Sequence, residues 1–416
     1  MYSPEPKPID FGVYGVDYST DPGANKYYRI EVLLRSLYEL GLSNVVDDDR
    51  GNLKEGTRLM AGADACVFFN MPPELVPLVS SIQAFKAKKD ENGVFRCAPS
   101  IIYDLDDNLD WIHPLNPAFW RSGTRNWDGE LLKPRDKLSF PNKHGVEEVV
   151  WEDGEHGMSS PRPVDWEDNH AFVKSTFDAA LSCEGVTVPT ERLAKVYREK
   201  GAREVHVFPN SIIPEDFKSF DLAPSKRVRI LWQGGWSHAV DWLQVTKPLL
   251  QVLRDNPNTT LVVYGTPPPW LKVSVPEGQF EEHPWSHFRQ YHVIRPNLNI
   301  DINLCPLVGN KFNECKSAIK WYEGSVGPRP EATLAAKVPP YSDEMENGST
   351  GLLYEGPEDF ADKLTALIKN RELRLTLADR AREWVLANRH FSRTVPVWFE
   401  FIQHLRSKKR MEALVV

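Results

Sequence analysis

Short apolar runs alternate with stretches of helical spacing along most of this chain. Phe11-Gly12-Val13-Tyr14-Gly15-Val16 predicts a first strand. Tyr27 to Leu40 predicts a helix, with Ile30, Leu33, Leu34, Leu37 and Leu40 on one face and Gly41 as its stop. Ala65 to Phe69 and Ser100 to Tyr103 read as buried strands, with a helix from Leu75 to Lys88 between them. Phe172 to Ala180 reads as a helix and Ala180-Leu181-Ser182 as a short strand. Thr190 to Lys200 reads as a helix that Thr190 can cap, and Glu204 to Phe208 as a strand. Strands separated by helices imply a parallel sheet covered on both faces.

A polar, Pro-bearing segment from Pro214 to Lys226 reads as a linker, and a second alternating series follows it. Val228 to Trp232 is a strand that enters Gln233-Gly234-Gly235. Trp242 to Arg254 is a helix with Asp241 as its expected cap. Thr260 to Tyr264 and Ile300 to Leu304 are strands, and Phe360 to Ile368 is a helix. The expected domains are therefore 1–213 and 214–394, each Rossmann-like, with no sequence repeat between them. Ligands of open α/β sheets bind outside the carboxyl ends of the strands. The last stretch, 395–416, is helical through Val397, Trp398, Phe401 and Leu405. Its basic end, Arg406 to Arg410, is expected to be solvated, with a nucleic-acid contact as the other reading.

One region breaks the alternation. From about Arg121 to Asn169 there is no clear period, and Trp120, Trp127, Trp151 and Trp166 are interleaved with charge. Arg121, Arg125, Lys133, Arg135, Lys137 and Lys143 come first, then Glu147, Glu148, Glu152, Asp153, Glu155, Asp165, Glu167 and Asp168. A loop of this length inside a compact domain is usually functional or disordered. Its aromatics suit either stacking on sugars or bases, or the small core of an insertion.

Composition narrows the class. The 416 residues suffice for two or three cores, and 41% hydrophobic with 26% charged residues is ordinary for a globular protein. A net charge of -8 argues against a global positive field that coats nucleic acid. Five scattered cysteines without a C-x-x-C pair fit a reduced, cytoplasmic chain rather than a disulfide framework or zinc site. No signal peptide or membrane span is expected.

The candidate chemistry lies between Asp301 and Gly324. An apolar strand, a Gly/Asn loop and a helix present free N–H groups to a phosphate. On a helix Lys316, Lys320 and Glu323 fall at i, i+4 and i+7 and share a face. Two ammonium groups suit a diphosphate, and a carboxylate suits ribose hydroxyls; a solvated charged face is the other reading. The turn Gln233-Gly234-Gly235-Trp236-Ser237-His238 lets backbone approach a phosphate. His238 there is either a cap or core residue or a donor contact.

Several segments in order carry a resemblance. Asp301-Ile302-Asn303-Leu304-Cys305-Pro306-Leu307, then Phe312-Asn313, Lys316-Ser317, Lys320 and Glu323, resemble the family-4-like retaining glycosyltransferases of the GT-B fold. Pro339-Pro340-Tyr341-Ser342-Asp343, Asn347-Gly348-Ser349-Thr350-Gly351-Leu352-Leu353 and Ala378-Asp379-Arg380-Ala381-Arg382 extend it through the second half. Gly234-Gly235-Trp236-Ser237-His238 with Asp241 resembles the "G-x-x-S-H-x-x-D" of the donor domain. One position departs: Cys315 stands where the family often has a first glutamate.

The resemblance implies an α/β GT-B fold, two Rossmann-like domains facing across a cleft, with the C-terminal helix crossing back to the first. It implies a nucleotide-sugar donor, UDP- or GDP-linked, held by Gly234, Gly235, His238, Lys316, Ser317, Lys320 and Glu323, and no cofactor. It implies retention, with lysines and N–H dipoles rather than metal stabilising the leaving diphosphate. Asp104, Asp106 and Asp107 resemble an acidic "D-x-D-D" of some members and are the expected catalytic-site carboxylates, binding sugar or acceptor, with His113 as a secondary candidate. Their other readings are a metal site or capping. Arg121, Arg125 and Trp127 are the expected acceptor residues, in an insertion hung from the first domain. The pattern looks most like phage-encoded members, which implies host cytoplasm and an acceptor such as a virion protein, a glycan or a modified DNA base. A sugar-nucleotide epimerase and a non-catalytic nucleotide-sugar or glycan-binding protein are the rival readings.

Overall fold

The computed structural model describes residues 11–18, 24–48, 59–84, 88–89, 95–114, 116, 118–134, 136–141, 148–152, 165–218, 225–235 and 238–415. The chain forms two compact units. The first comprises Met1–Asp106, Lys174–Ile213 and Ala387–Val416; the second comprises Asp107–Val173 and Pro214–Leu386.

The first unit holds strands β1 (Gly12–Asp17), β2 (Asn44–Asp48) and β3 (Ala65–Phe69), a small antiparallel pair β4 (Lys88–Lys89) and β5 (Phe95–Arg96), and β6 (Ser100–Asp104). The chain then leaves for the second unit, where β7 (Lys137–Pro141) and β8 (Glu148–Glu152) form an antiparallel hairpin. It returns with β9 (Gly185–Val188) and β10 (Val205–Val207). The sheet order is β10-β9-β6-β3-β1-β2, and every pairing is parallel. All residues of β3 and β6 are buried, as expected for strands covered on both faces. The helix Val32–Glu39 contributes Leu33, Leu34 and Leu37 to one core cluster. The final helix, Phe391–Val415, adds Val395, Trp398, Ile402 and Leu405 to it.

Several expectations need correction here. Ala180-Leu181-Ser182 is not a strand, because the helix Trp166–Leu181 runs through it; the strand is β9, four residues on. Val397 is 50% exposed and not part of the buried stripe. The basic end is not simply solvated. Arg406 is buried and donates to Asp64 Oδ1 (2.8 Å) and to the Ala98 carbonyl (2.5 Å), and Lys409 donates to the Pro99 carbonyl (2.7 Å). Thr190 does cap its helix, accepting from Leu193 N–H at 3.3 Å.

The second unit holds β11 (Val228–Gly234), β12 (Thr259–Gly265), β13 (Phe280–His283), β14 (Ile302–Cys305), β15 (Ala332–Ala336) and β16 (Leu352–Tyr354). Their order is β13-β12-β11-β14-β15-β16, all parallel. Counted within the unit this is 3-2-1-4-5-6, the order of dinucleotide-binding sheets. The direction of winding reverses between β11 and β14, which places the ligand crevice at their carboxyl ends.

Residues 107–173 group with this second unit, whereas the sequence reading hung 121–169 from the first domain. The reason is a local core: Ile112, Phe119, Trp120, Leu132, Leu138 and Trp166 cluster with Phe312, from the loop that follows β14. Trp120 and Trp166 are therefore core residues of the insertion.

Candidate functional site

At the switch point β11 and β12 end side by side, with Gly234 in register with Gly265. Gly265 has φ +125°, and a Cβ there would lie 2.2 Å from the Gly234 carbonyl oxygen, so only glycine fits. Thr266 N–H donates to that same carbonyl at 3.0 Å. Gly235 is half-buried with open space where a Cβ would stand. Trp236 and Ser237 lie outside the described residues.

His238 and Asp241 follow. Asp241 sits inside the first turn of the helix Ala239–Leu243 and does not cap it; the expected helix from Trp242 is two helices, the second being Thr246–Asp255. The Asp241 carboxylate, 3% exposed, accepts His238 Nδ1–H at 2.7 Å and Val308 N–H at 2.8 Å. One buried side chain thus ties the turn after β11 to the loop after β14 across the switch point. Burial, and secondarily the Lys320 charge, holds the His238 pKa down to about 4 against the pull of Asp241. His238 is neutral at pH 7, with Nδ1–H donated to Asp241 and Nε2 left as an acceptor.

The lysines differ from each other. Asn313–Cys315 form a 3-10 turn, Lys316 is extended (φ -69°, ψ 164°), and the helix begins at Ile319. Lys316 therefore does not share a helix face with Lys320 and Glu323. Its Nζ pairs with Asp107 Oδ1 at 3.0 Å and stands 4.4 Å from the Phe312 ring centroid. Ser317, between Lys316 and the helix, is half-buried. Lys320 lies in the first helical turn. Among the described residues its ammonium has no hydrogen-bond or ion-pair partner, and the Trp232 ring lies 5.8 Å from it. Burial pushes its pKa down, and Lys316 adds to this; Cys305, Asp241 and Glu323 pull the other way. Asp241, Lys316 and Glu323 thus act on Lys320, and Lys320, Asp241 and Lys316 act on His238.

Glu323 is 4% exposed, and its Oε2 accepts from Gln233 Nε2 (2.7 Å) and the Tyr291 hydroxyl (2.6 Å). Gln233 Oε1 accepts from Arg295 Nε (3.2 Å), and Arg295 is paired bidentately with buried Glu331. Gln233, Tyr291, Arg295 and Glu331 were not singled out from sequence. The signal at Gln233 and Glu331 is polarity beside apolar strand runs, as in Leu231-Trp232-Gln233 and Glu331-Ala332; Tyr291 and Arg295, in a helix and the turn after it, carry no such signal.

The other expected residues separate. Asp104 is fully buried in the first unit, where Arg29 donates to both its oxygens at 2.7 Å and Thr187 Oγ1 donates to Oδ2. Arg29 comes from a π-helical turn, Tyr27–Glu31, and also donates to the Phe208 carbonyl (2.5 Å) and Asn210 Oδ1 (3.1 Å). Asp106 is half-buried, and Asp107 belongs to the Lys316 pair. Asn108 Nδ2 lies 3.5 Å from Cys315 Sγ, so this buried thiol faces an amide of the 107–173 segment. Arg125 donates to the carbonyls of Asp110 (3.0 Å) and Gly129 (3.0 Å), with its guanidinium 4.5 Å from the Trp111 centroid; it braces the insertion. Lys311 covers the same ring at 4.0 Å. Arg121 is exposed, and Trp127 is 41% exposed, edge-on to His113 at 5.3 Å. Arg135 and Lys143 lie outside the described residues. Among the described residues no group of three or more His, Cys, Asp or Glu could hold a metal, and no helix is long and apolar enough to cross a membrane.

No protein-family model matches the chain, and no curated protein is similar to it in sequence. Solved structures are similar in fold. Anabaena HepE in complex with UDP and glucose superposes with a TM-score of 0.57 at 12% identity, over 95% of this chain and 100% of that one. Sucrose-phosphate synthase from Thermosynechococcus elongatus gives 0.54 at 10% identity, over 96% and 100%. A mutant S. aureus TarM in complex with Fondaparinux, alpha-GlcNAc-glycerol and UDP gives 0.50 at 10%, over 94% and 99%. The two parallel-sheet units thus have the GT-B fold.

Proposed function

We propose that the chain is a glycosyltransferase that moves a sugar from a UDP- or GDP-linked donor to an acceptor hydroxyl, with retention and without metal. The observation that carries this reading is Lys320: a half-buried ammonium, unpartnered among the described residues, near Trp232 of β11 and within the field of His238, at the switch point of a 3-2-1-4-5-6 sheet. Such a cation is matched by an anion, and the Gly234–Gly235 turn suits a diphosphate. The bound UDP of the HepE and TarM structures supports the choice of ligand.

In this reading Lys320 and Lys316, with Ser317 and the turn, hold the diphosphate, Glu323 receives the ribose, and His238 Nε2 accepts from the donor. Breaking the sugar–phosphate bond places charge on the leaving diphosphate, and pre-placed cations stabilise that transition state. Arg121 and Trp127 are assigned to the acceptor. Asp104 and Arg125 are assigned structural roles because their polar atoms are committed. The net charge of -8 and the commitment of Arg125 favour a protein or glycan acceptor over DNA. Five free cysteines fit a reducing cytoplasm.

The test is incubation with UDP-, GDP- and ADP-sugars in EDTA, with and without candidate acceptors. Release of free nucleoside diphosphate with transfer of the sugar is expected. Isomerised donor without transfer would make the chain an epimerase, binding without turnover would make it a binding module, and activity only after Mn²⁺ or Mg²⁺ is restored would refute metal independence.

A further inference from the structure

The proposed donor site implies a ribose acceptor whose aim is fixed, and the residues beneath Glu323 fix it. We propose that Tyr291 and Gln233, locked in turn by the Arg295–Glu331 pair, are positioning residues that orient the Glu323 carboxylate and so set the preference for ribose over deoxyribose. The inference rests on the nucleotide-sugar reading above.

Four elements meet under this carboxylate: β11 with Gln233, the helix Phe288–Ile294 with Tyr291, the turn after it with Arg295, and the helix Ile319–Val326 with Glu323. A guanidinium only donates. Arg295 Nε, 3.2 Å from the Gln233 amide, must therefore face Oε1, which turns Nε2 toward Glu323 Oε2 at 2.7 Å. Arg295 cannot swing toward Glu323 instead, because both its Nη groups are engaged by Glu331 inside the protein. Gly324 makes room for that pair: a Cβ there would lie 2.8 Å from Asn303 Nδ2 and 3.1 Å from Glu331 Oε2.

Tyr291 completes the clamp. Its hydroxyl lies 2.6 Å from Glu323 Oε2 and 3.0 Å from Gln233 Oε1, and its single proton goes to the nearer, charged oxygen. Burial, reinforced by the Glu323 charge, raises its pKa well above the ordinary phenol value, so the proton stays on Tyr291. The Tyr264 ring lies 5.5 Å from that of Tyr291, and the Tyr264 hydroxyl is itself bonded to Ser286. Two fixed donors on one carboxylate oxygen stop the group from rotating, so Glu323 meets the ribose pre-oriented.

The test compares UDP with 2′,3′-dideoxy-UDP by calorimetry on the full chain and on Tyr291→Phe, with Gln233→Met as the second variant. The wild-type chain should prefer UDP by roughly 10- to 150-fold, the size of a hydrogen bond to a charged group. Tyr291→Phe should shrink that ratio at least threefold, while the dideoxy ligand binds as before and the melting temperature is little changed. Gln233→Met should do the same. A wild-type ratio near one would remove Glu323 from the ribose and overturn the inference while leaving the diphosphate site standing. An unchanged ratio in both variants would overturn it directly, and failure of the wild-type chain to bind either ligand would overturn the underlying reading as well.

Discussion

The two units place charged side chains at the carboxyl ends of their sheets in opposite ways. In the first unit Asp104, the last residue of β6, is buried with both oxygens bonded to Arg29 and one also to Thr187. In the second unit Lys320 stands beside the ends of β11 and β14 with no polar partner among the described residues. A buried charge that is fully paired holds the fold, and removing its partner is what hurts. A half-buried charge without a partner is destabilising until a ligand supplies the opposite charge. The acidic motif therefore reads as structure at Asp104, and the lysine motif reads as function at Lys320.

The largest expected effect is at the paired site. Asp104→Ala should lower unfolding free energy in urea by about 3–5 kcal/mol, since it strands a buried guanidinium. Asp104→Asn should be destabilised less, yet bind UDP normally. Wild-type stability with abolished turnover in Asp104→Asn would restore a catalytic role and erase the contrast.

Next is the unpaired site. Lys320→Met should weaken UDP binding by about 1.5–3 kcal/mol while leaving urea stability unchanged or raised. The folded-state pKa of Lys320 is depressed, so the unfolded chain binds more protons between that value and about 10.4, and stability rises with pH through this window. UDP should raise the pKa again, so binding in mildly alkaline buffers should take up protons. Calorimetry in buffers of different ionisation heats reads this, and no uptake would mean that Lys320 does not meet the phosphate.

His238 gives a smaller signal. Its pKa of about 4 lies below the unfolded value near 6.5, so its contribution is present above 6.5 and is lost as pH falls toward 4. UDP affinity should show no step from His238 between pH 6 and 8, and an NMR titration of its ring in that range would contradict the neutral assignment.

The smallest effect concerns Lys316, which is already paired. Asp107→Asn should remove the carboxylate charge that competes with a phosphate there and tighten UDP binding by up to about 1 kcal/mol, the scale of a part-exposed ion pair. Weaker binding would show that Asp107 belongs to the ligand site itself.

Much of the architecture was legible because parallel strands are buried on both faces and appear as continuous apolar runs, as in Ala65–Phe69 and Ile230–Trp232. Strands that break this rule were missed: β2 carries Asp47 and Asp48, and β13 reads Phe-Glu-Glu-His. The Gly234 turn and Lys320 were legible as motifs. The shared face of Lys316 was not, because the chain is extended there and the helix starts three residues later. Gln233, Tyr291, Arg295 and Glu331 were illegible for a different reason: the link between Glu323 and Gln233 spans 90 positions, and only folding brings them together.

One titration decides whether Lys320 meets a diphosphate. UDP and GDP are titrated into the wild-type chain and into Lys320→Met by calorimetry in EDTA. At least one nucleotide should bind the wild-type chain without metal, and the variant should lose roughly tenfold or more in affinity with its melting temperature preserved. Equal affinity in the two proteins, or binding only after a divalent cation is added, would contradict that expectation.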